Sequence, residues 1–393
     1  MLLRFLAIGI LGLNFLQAQE LNIYIDADFS AYEQSSKSIE MGIATAIEEQ
    51  RELIGDLKIQ IKRLNHKGNS LRSLKNVKTF LEDPDRLAIF SGIHSPPLLA
   101  NRDFINKNKA LFMIPWAAAA PITRPEEGKN WIFRLSVDDS KAGKFLVEQM
   151  IKAKYSQPFL LLEKTGWGIN NLNNIDEALN KKSINSSGQE FFNWGPTETN
   201  VRIKVRKIQN SNADCILFVG NAREGAVFAK AMNAAGLKIP VISHWGITGG
   251  GFFENVGKET LDKQSWCFIQ TSFSFTSSEL NSYQTSVLKT AQKLFPDDIN
   301  GKHIKSPTGF IHAHDLTILL IQAWVQSGKP VPVNFESLHK NLENLNKEIK
   351  GLTKNYNKPF SVFNSENPDA HEALGLDDLK LGVFDAKGNI ILK

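Results

Sequence analysis

Short apolar runs recur along the chain, and between them lie longer stretches whose apolar positions return every three or four residues. LNIYID (21–26), LKIQIKRL (57–64), RLAIF (86–90), ALFMIP (110–115) and KNWIFRLS (129–136) predict strands; 38–50, 70–81 and 96–106 predict helices. A second series follows: PFLLLEK (158–164), EFFNW (190–194), DCILFVG (214–220), PVISHW (240–245) and CFIQTSF (267–273), with helices predicted over 170–181, 199–209 and 225–235. Gly236, after Asn233-Ala234-Ala235, is placed to end the last of these helices. Strands alternating with helices in two runs predict an α/β protein of two doubly wound lobes. The carboxyl-terminal part reads as a helix, a polar loop and a closing hairpin, with 384–389 as the turn between LGVF and IILK.

The length of 393 residues exceeds what one core usually fills, which agrees with two domains. A net charge of +5, with Lys and Arg scattered among nearly as many Asp and Glu, argues against nucleic acid as a partner. Met1-Leu2-Leu3-Arg4, an apolar run from Phe5 to Phe15 and Leu16-Gln17-Ala18 together predict an export signal cleaved after Ala18. That run, like every later one, is shorter than a bilayer span, so no direct membrane insertion is expected. Cys215 and Cys267 sit in separate predicted strands and read as small buried apolar groups rather than a disulfide or a metal framework.

Chemistry is expected where the turns leave the carboxyl ends of parallel strands. Ser91-Gly92-Ile93-His94-Ser95-Pro96 puts a hydroxyl at a predicted N-cap and Pro at the first helical position, so free backbone N–H groups are expected to face an anion there. Three enzyme-like patterns lack their partners. Gly246 to Gly251 is glycine-rich without the spacing of a dinucleotide turn, His312 and His314 fall on different helix faces, and Ser91 and Ser95 have no nucleophile elbow. No catalytic residue, metal or cofactor is expected.

The ordered set EQSSKSIEMGIATAIEE, DPDRLAIFSGIHSP, MIPWAAAAPIT, IFRLSVDDSKAG and ILFVGNAREGAVFAKAMNAAGLKIPVISHWG resembles the periplasmic solute-binding proteins of the branched-chain amino acid ABC transporter type, including leucine-binding proteins. GFIHAHDLTILLIQAWVQSG continues the resemblance, which runs from about Leu21 to the carboxyl end. It implies a type I periplasmic-binding fold with crossings between lobes near Asp139, Gln270 and Pro330. The first lobe would hold 19–138 plus 271–330, and the second 139–270 plus 331–393.

The resemblance further implies a monomer in the periplasm that traps a small-molecule ligand by hinge closure and hands it to an inner-membrane ABC permease. A ligand-binding partner of a signalling receptor is the alternative within the fold, and an exported enzyme would need a catalytic set that the sequence does not display. Carried onto this chain, the site comprises His94, Ser95, Trp116 and Ala117 from the first lobe and Trp167, His244, Trp245 and Gly246 from the second. Two departures matter. Ala117 to Ala120 bring no hydroxyl where relatives bind the ligand ammonium, and His244-Trp245-Gly246 stands where amino-acid binders carry a carboxylate. A buried ammonium without a counter-charge costs several kcal/mol. An amino-free carboxylate with an apolar or aromatic body is therefore the first expectation, and an amino acid the second, with Asp138 or Asp139 as its counter-charge.

Overall fold

The computed structural model describes residues 19–276 and 279–393. The expected export signal lies outside the described residues. The first sheet contains β1 (Glu20–Ala27), β2 (Lys58–Asn65), β3 (Arg86–Ser91), β4 (Phe112–Ile114) and β5 (Ile132–Arg134), all parallel, in the order β2-β1-β3-β4-β5. The second contains β6 (Pro158–Glu163), β7 (Gly188–Phe192), β8 (Cys215–Val219), β9 (Val241–Ser243) and β10 (Trp266–Thr271), in the order β7-β6-β8-β9-β10. Both orders read 2-1-3-4-5, so each sheet has a switch point beside its first strand, where crevices open at the carboxyl ends. Ribbons β11 (Ile299–Asn300) with β12 (His303–Ile304), and β13 (Glu348–Lys350) with β14 (Asn355–Asn357), decorate the frame.

Apolar periodicity placed nearly every strand of the two sheets, because parallel strands covered on both faces are continuous apolar runs. The runs ALFMIP and KNWIFRLS contribute only short strands, since their ends bend away into turns around Trp116 and Ser136. The first helix starts at Glu33, five residues before 38, and runs to Glu49. It packs against the long helix Pro307–Gln326, close enough that a Cβ on Gly42 would stand 2.3 Å from the Phe310 carbonyl oxygen.

The carboxyl-terminal part departs from the expected division at Pro330. Helix Phe335–Leu342 lays Leu338 and Leu342 into the core of the first lobe, and Phe360 meets Phe133 edge-on at 5.1 Å. Arg134 N–H donates to the His371 carbonyl, so the chain up to about residue 374 lies along β5. Only β15 (Leu379–Phe384) and β16 (Ile390–Leu392) join the second sheet, antiparallel beside β10, as the expected hairpin. The apolar residues of the tail match the uncovered edge of the first sheet, and that match moves the third crossing to about residues 375–378. The chain leaves the first sheet after Arg134, enters the second at Pro158 and leaves β10 after Thr271.

Cys215 and Cys267 are both free. Among the described residues no helix is long and apolar enough to cross a membrane.

Candidate functional site

The lobes meet with their switch points facing each other. From the first come the turn after β1, with Asp28 and Tyr32, and the turn after β3, with Ser91, His94 and Ser95. From the second come Glu163 at the end of β6, Asn221 after β8 and the short 3-10 turn Trp245–Thr248 after β9. All the sequence-predicted residues His94, Ser95, Trp116, Ala117, Trp167, His244, Trp245 and Gly246 are buried here.

Their roles differ from the expected ones in the first lobe. His94, not Ser95, holds the N-cap position of helix Ser95–Lys107, and its side chain makes no cap bond. Ser95 Oγ instead accepts the backbone N–H of Ala118 and Ala119, each at 3.2 Å, and so ties the turn after β4 to this helix. Pro97 follows Pro96, and neither carries an N–H, so this helix end offers few donors to an anion. The Ala117 carbonyl is likewise engaged, with Arg134 Nη1 at 3.3 Å and the Ser136 hydroxyl at 3.4 Å.

Arg134 braces that turn from beneath. It is fully buried, grips Glu372 through Nε (2.8 Å) and Nη2 (2.7 Å), and donates to the Ala119 carbonyl at 2.9 Å. Thr123 hydroxyl bonds Glu372 and completes the bracket. This bidentate pair was invisible in sequence, because its partners lie far apart along the chain.

In the second lobe Asp139 is the organising group. Its Oδ1 accepts Trp167 Nε1–H at 3.3 Å and lies 3.0 Å from His244 Nε2, while Oδ2 has no hydrogen-bond partner among the described residues. His244 Nδ1 is unpartnered too. The Trp167 and His244 rings stand edge to face, 5.0 Å apart. Asp138, the other candidate counter-charge, caps helix Asp139–Lys152 through the Ser140 N–H and pairs with Arg124 and Lys141; against its burial, the charge of nearby Arg134 first, then those of Arg124 and Lys141, hold it well below the usual carboxylate range. The first-lobe wall carries its own unpartnered buried atoms: Ser91 Oγ, both His94 ring nitrogens and Trp116 Nε1. Buried polar atoms are nearly always satisfied, and each orphan costs roughly 1–3 kcal/mol.

Sequence reasoning missed the contacts that close the lobes. Tyr32 hydroxyl donates to Glu224 Oε2 at 2.9 Å, the Thr248 and Thr308 hydroxyls meet at 3.2 Å, and Asn170 Oδ1 accepts the Ala120 N–H at 3.1 Å. Trp194 lies over His94 at 4.9 Å, and Tyr32 stands against the same ring at 4.4 Å. Trp194 closes the predicted strand run EFFNW, which was its one signal, while Tyr32 lies five residues beyond the end of β1 and had none. Two openings lie at the lobe boundary, one of about 40 Å³ lined in part by Gln34, Thr248, Gly250 and Ser306, the other of about 480 Å³ lined in part by Tyr32, Gln34, Arg223 and Gly250, and neither is lined by His94, Asp139 or His244. His94 is 4% exposed and Asp139 and His244 are 0% exposed, so a solute of amino-acid size reaches them only when the lobes separate.

Glu163 lies in this interface, accepting from Thr165 at 2.9 Å and Asn221 at 3.0 Å, and burial pushes its carboxyl up to about 7 against those donors. A raised acid binds its proton more tightly in the folded chain, so its contribution to stability is complete below about pH 4.5 and is lost as pH rises through about 7. Glu163→Gln removes the titration. Between those two pH values wild type should lose up to about 3 kcal/mol relative to the variant in urea unfolding, and parallel profiles would contradict the assignment.

A family model described as "Periplasmic binding protein" matches residues 24–296. No curated protein sequence matches the chain. Among solved structures, a type 1 periplasmic binding protein from Bordetella pertussis Tohama I aligns over 95% of this chain and 100% of its own at 17% identity and a TM-score of 0.80. A Rhodopseudomonas palustris ABC transporter solute-binding protein in complex with 4-hydroxybenzoate aligns at 15% identity and 0.76, covering 95% and 96%. The branched-chain amino acid transporter substrate-binding protein LivJ from Streptococcus pneumoniae, in complex with isoleucine, aligns at 15% and 0.73, covering 95% and 100%. These likenesses show the type I periplasmic-binding fold, and the neighbours named are binding proteins.

Proposed function

The chain belongs to the periplasmic binding protein family, and on that footing we propose that it is the substrate-binding component of an ABC importer, capturing a small organic acid between its lobes in the periplasm. Asp139 carries the proposal. A buried carboxylate with one oxygen fixed by Trp167 and His244 and the other unpartnered is a receptor for a hydrogen-donating group on a ligand. Opposite it, Trp116 Nε1–H and the His94 ring offer donors to a carboxylate or hydroxyl.

The favoured ligand is a carboxylic acid with a second, donating end, either ammonium or hydroxyl, and an apolar or aromatic body between the tryptophan rings. The isoleucine and 4-hydroxybenzoate held by two of the structural neighbours have those two chemistries. An ammonium is thus better provided for than the missing carboxylate at His244 suggested, because Asp139 reaches the site from the lobe crossing. Closure is a population shift toward the state in which both walls touch the ligand, and the closed pair of lobes is the surface a permease reads.

Thermal unfolding against paired acids tests this. At a hundredfold excess over Kd a true ligand raises the midpoint by about 3 °C. Branched-chain or aromatic amino acids, or hydroxy-substituted aromatic acids, should do so, and acids with no second donor should not. A midpoint unmoved by every member of the panel would sink the ligand class.

A further inference from the structure

The tail segment that packs along β5 brings together three side chains with no part in the cleft. His339 lies in helix Phe335–Leu342, Glu343 follows four residues later on the same face, and His371 arrives from the last stretch before the third crossing. His339 and His371 are buried, while Glu343 retains some exposure.

The hydrogen bonds of the two rings fix where their lone pairs point. His339 Nε2 is 2.9 Å from the Asn130 carbonyl oxygen, and His371 Nδ1 is 3.0 Å from that of Ile132. A carbonyl only accepts, so both of those nitrogens carry the hydrogen, and in the neutral rings the lone pairs sit on His339 Nδ1 and His371 Nε2. Both face Glu343, with His339 Nδ1 3.5 Å from Oε2 and His371 Nε2 3.3 Å from Oε1. One ligand atom from each residue lies within 4.8 Å of the others.

In neutral rings these lone pairs would repel the carboxylate, so either a proton on each ring or a metal cation stands between them. Nitrogen and oxygen ligands about 2.0–2.1 Å from a tetrahedral ion are about 3.3–3.4 Å apart, close to the two separations seen, and because these run to different oxygens of Glu343 the carboxylate would face the ion with both. Ring nitrogens whose opposite N–H is anchored on a backbone carbonyl are also the usual outer support of metal-binding histidines. We propose that His339, Glu343 and His371 bind one first-row divalent metal ion, with zinc as the best-matched probe and water completing the coordination. The ion would clip the tail to the start of β5. His371 adjoins Glu372, the partner of Arg134, so the clip fastens the bracket under the cleft turn.

The test uses the untagged protein, stripped with chelator and titrated with ZnCl2 and with CoCl2. The expected result is one ion per chain, visible-range cobalt bands of four-coordinate intensity, and binding at least a hundredfold weaker in Glu343→Gln and in His339→Gln. Circular dichroism establishes that the variants are folded, and nitrogen NMR of the imidazoles gives a readout that does not depend on variants. Neutral rings whose lone-pair nitrogens shift on adding zinc support the site. No stoichiometric binding, equal affinity in Glu343→Gln, or two imidazolium rings at pH 7.5 indifferent to zinc would overturn it.

Discussion

Arg134→Ala is expected to lower the unfolding free energy by about 3–5 kcal/mol, because it strands a carboxylate that has lost its partner inside the protein. The side chains of Arg134 and Glu372 are 0% and 1% exposed, and among the described residues Arg124 and Lys141 act on Glu372 only from beyond ion-pair distance. The loss reaches beyond the pair. Arg134 also holds the Ala117 and Ala119 carbonyls, so its removal loosens the turn that carries Trp116 and receives Ser95. Urea unfolding of Arg134→Ala, Glu372→Ala and the Arg134→Met/Glu372→Gln pair reads the effect. The pair should recover much of the loss, since replacing both charges leaves neither one unpaired. A loss in Arg134→Ala below about 1 kcal/mol would mean that water reaches Glu372, contrary to its burial.

The second large effect concerns capture. Asp139→Ala should weaken binding of the stabilising acid by about 30-fold or more, the usual scale for truncating one partner of a buried charged hydrogen bond. Asp139→Asn separates the two ligand chemistries. It keeps an oxygen for Trp167 and His244 but loses the charge, so an ammonium ligand should suffer nearly as much as in the Ala variant, whereas a hydroxyl ligand should keep most of its affinity. Titration calorimetry measures both. Affinity unchanged in Asp139→Ala would remove this carboxylate from the site. Trp167→Ala should act in the same direction by opening one wall and freeing Asp139 Oδ1.

The inner strands were legible because they are buried on both faces and therefore continuous in sequence, and the residues expected in the cleft were picked because turns after such strands are where a crevice lies. Several of the bonds these residues make were not legible. Pro96 signalled the helix start, yet the cap position fell on His94, and the Ser95 hydroxyl was taken by a neighbouring turn that only tertiary packing brings near. Asp138 and Asp139 are adjacent in sequence and opposite in use. One is consumed by Arg124 and Lys141, and the other faces the cleft, because successive residues at a helix start point in different directions. The boundary at Pro330 failed for a similar reason: the apolar stripe of 335–342 fits either lobe, and only the open edge of the first sheet decides between them.

Ligand-driven closure is the central claim, and small-angle scattering tests it most directly. The radius of gyration of the wild-type chain and of Asp139→Ala should be measured with and without the acid that raises the midpoint. The account predicts a smaller radius on saturation of wild type, and for Asp139→Ala no change at the same ligand concentration. A ligand that binds wild type stoichiometrically and leaves the radius unchanged would contradict capture between the lobes.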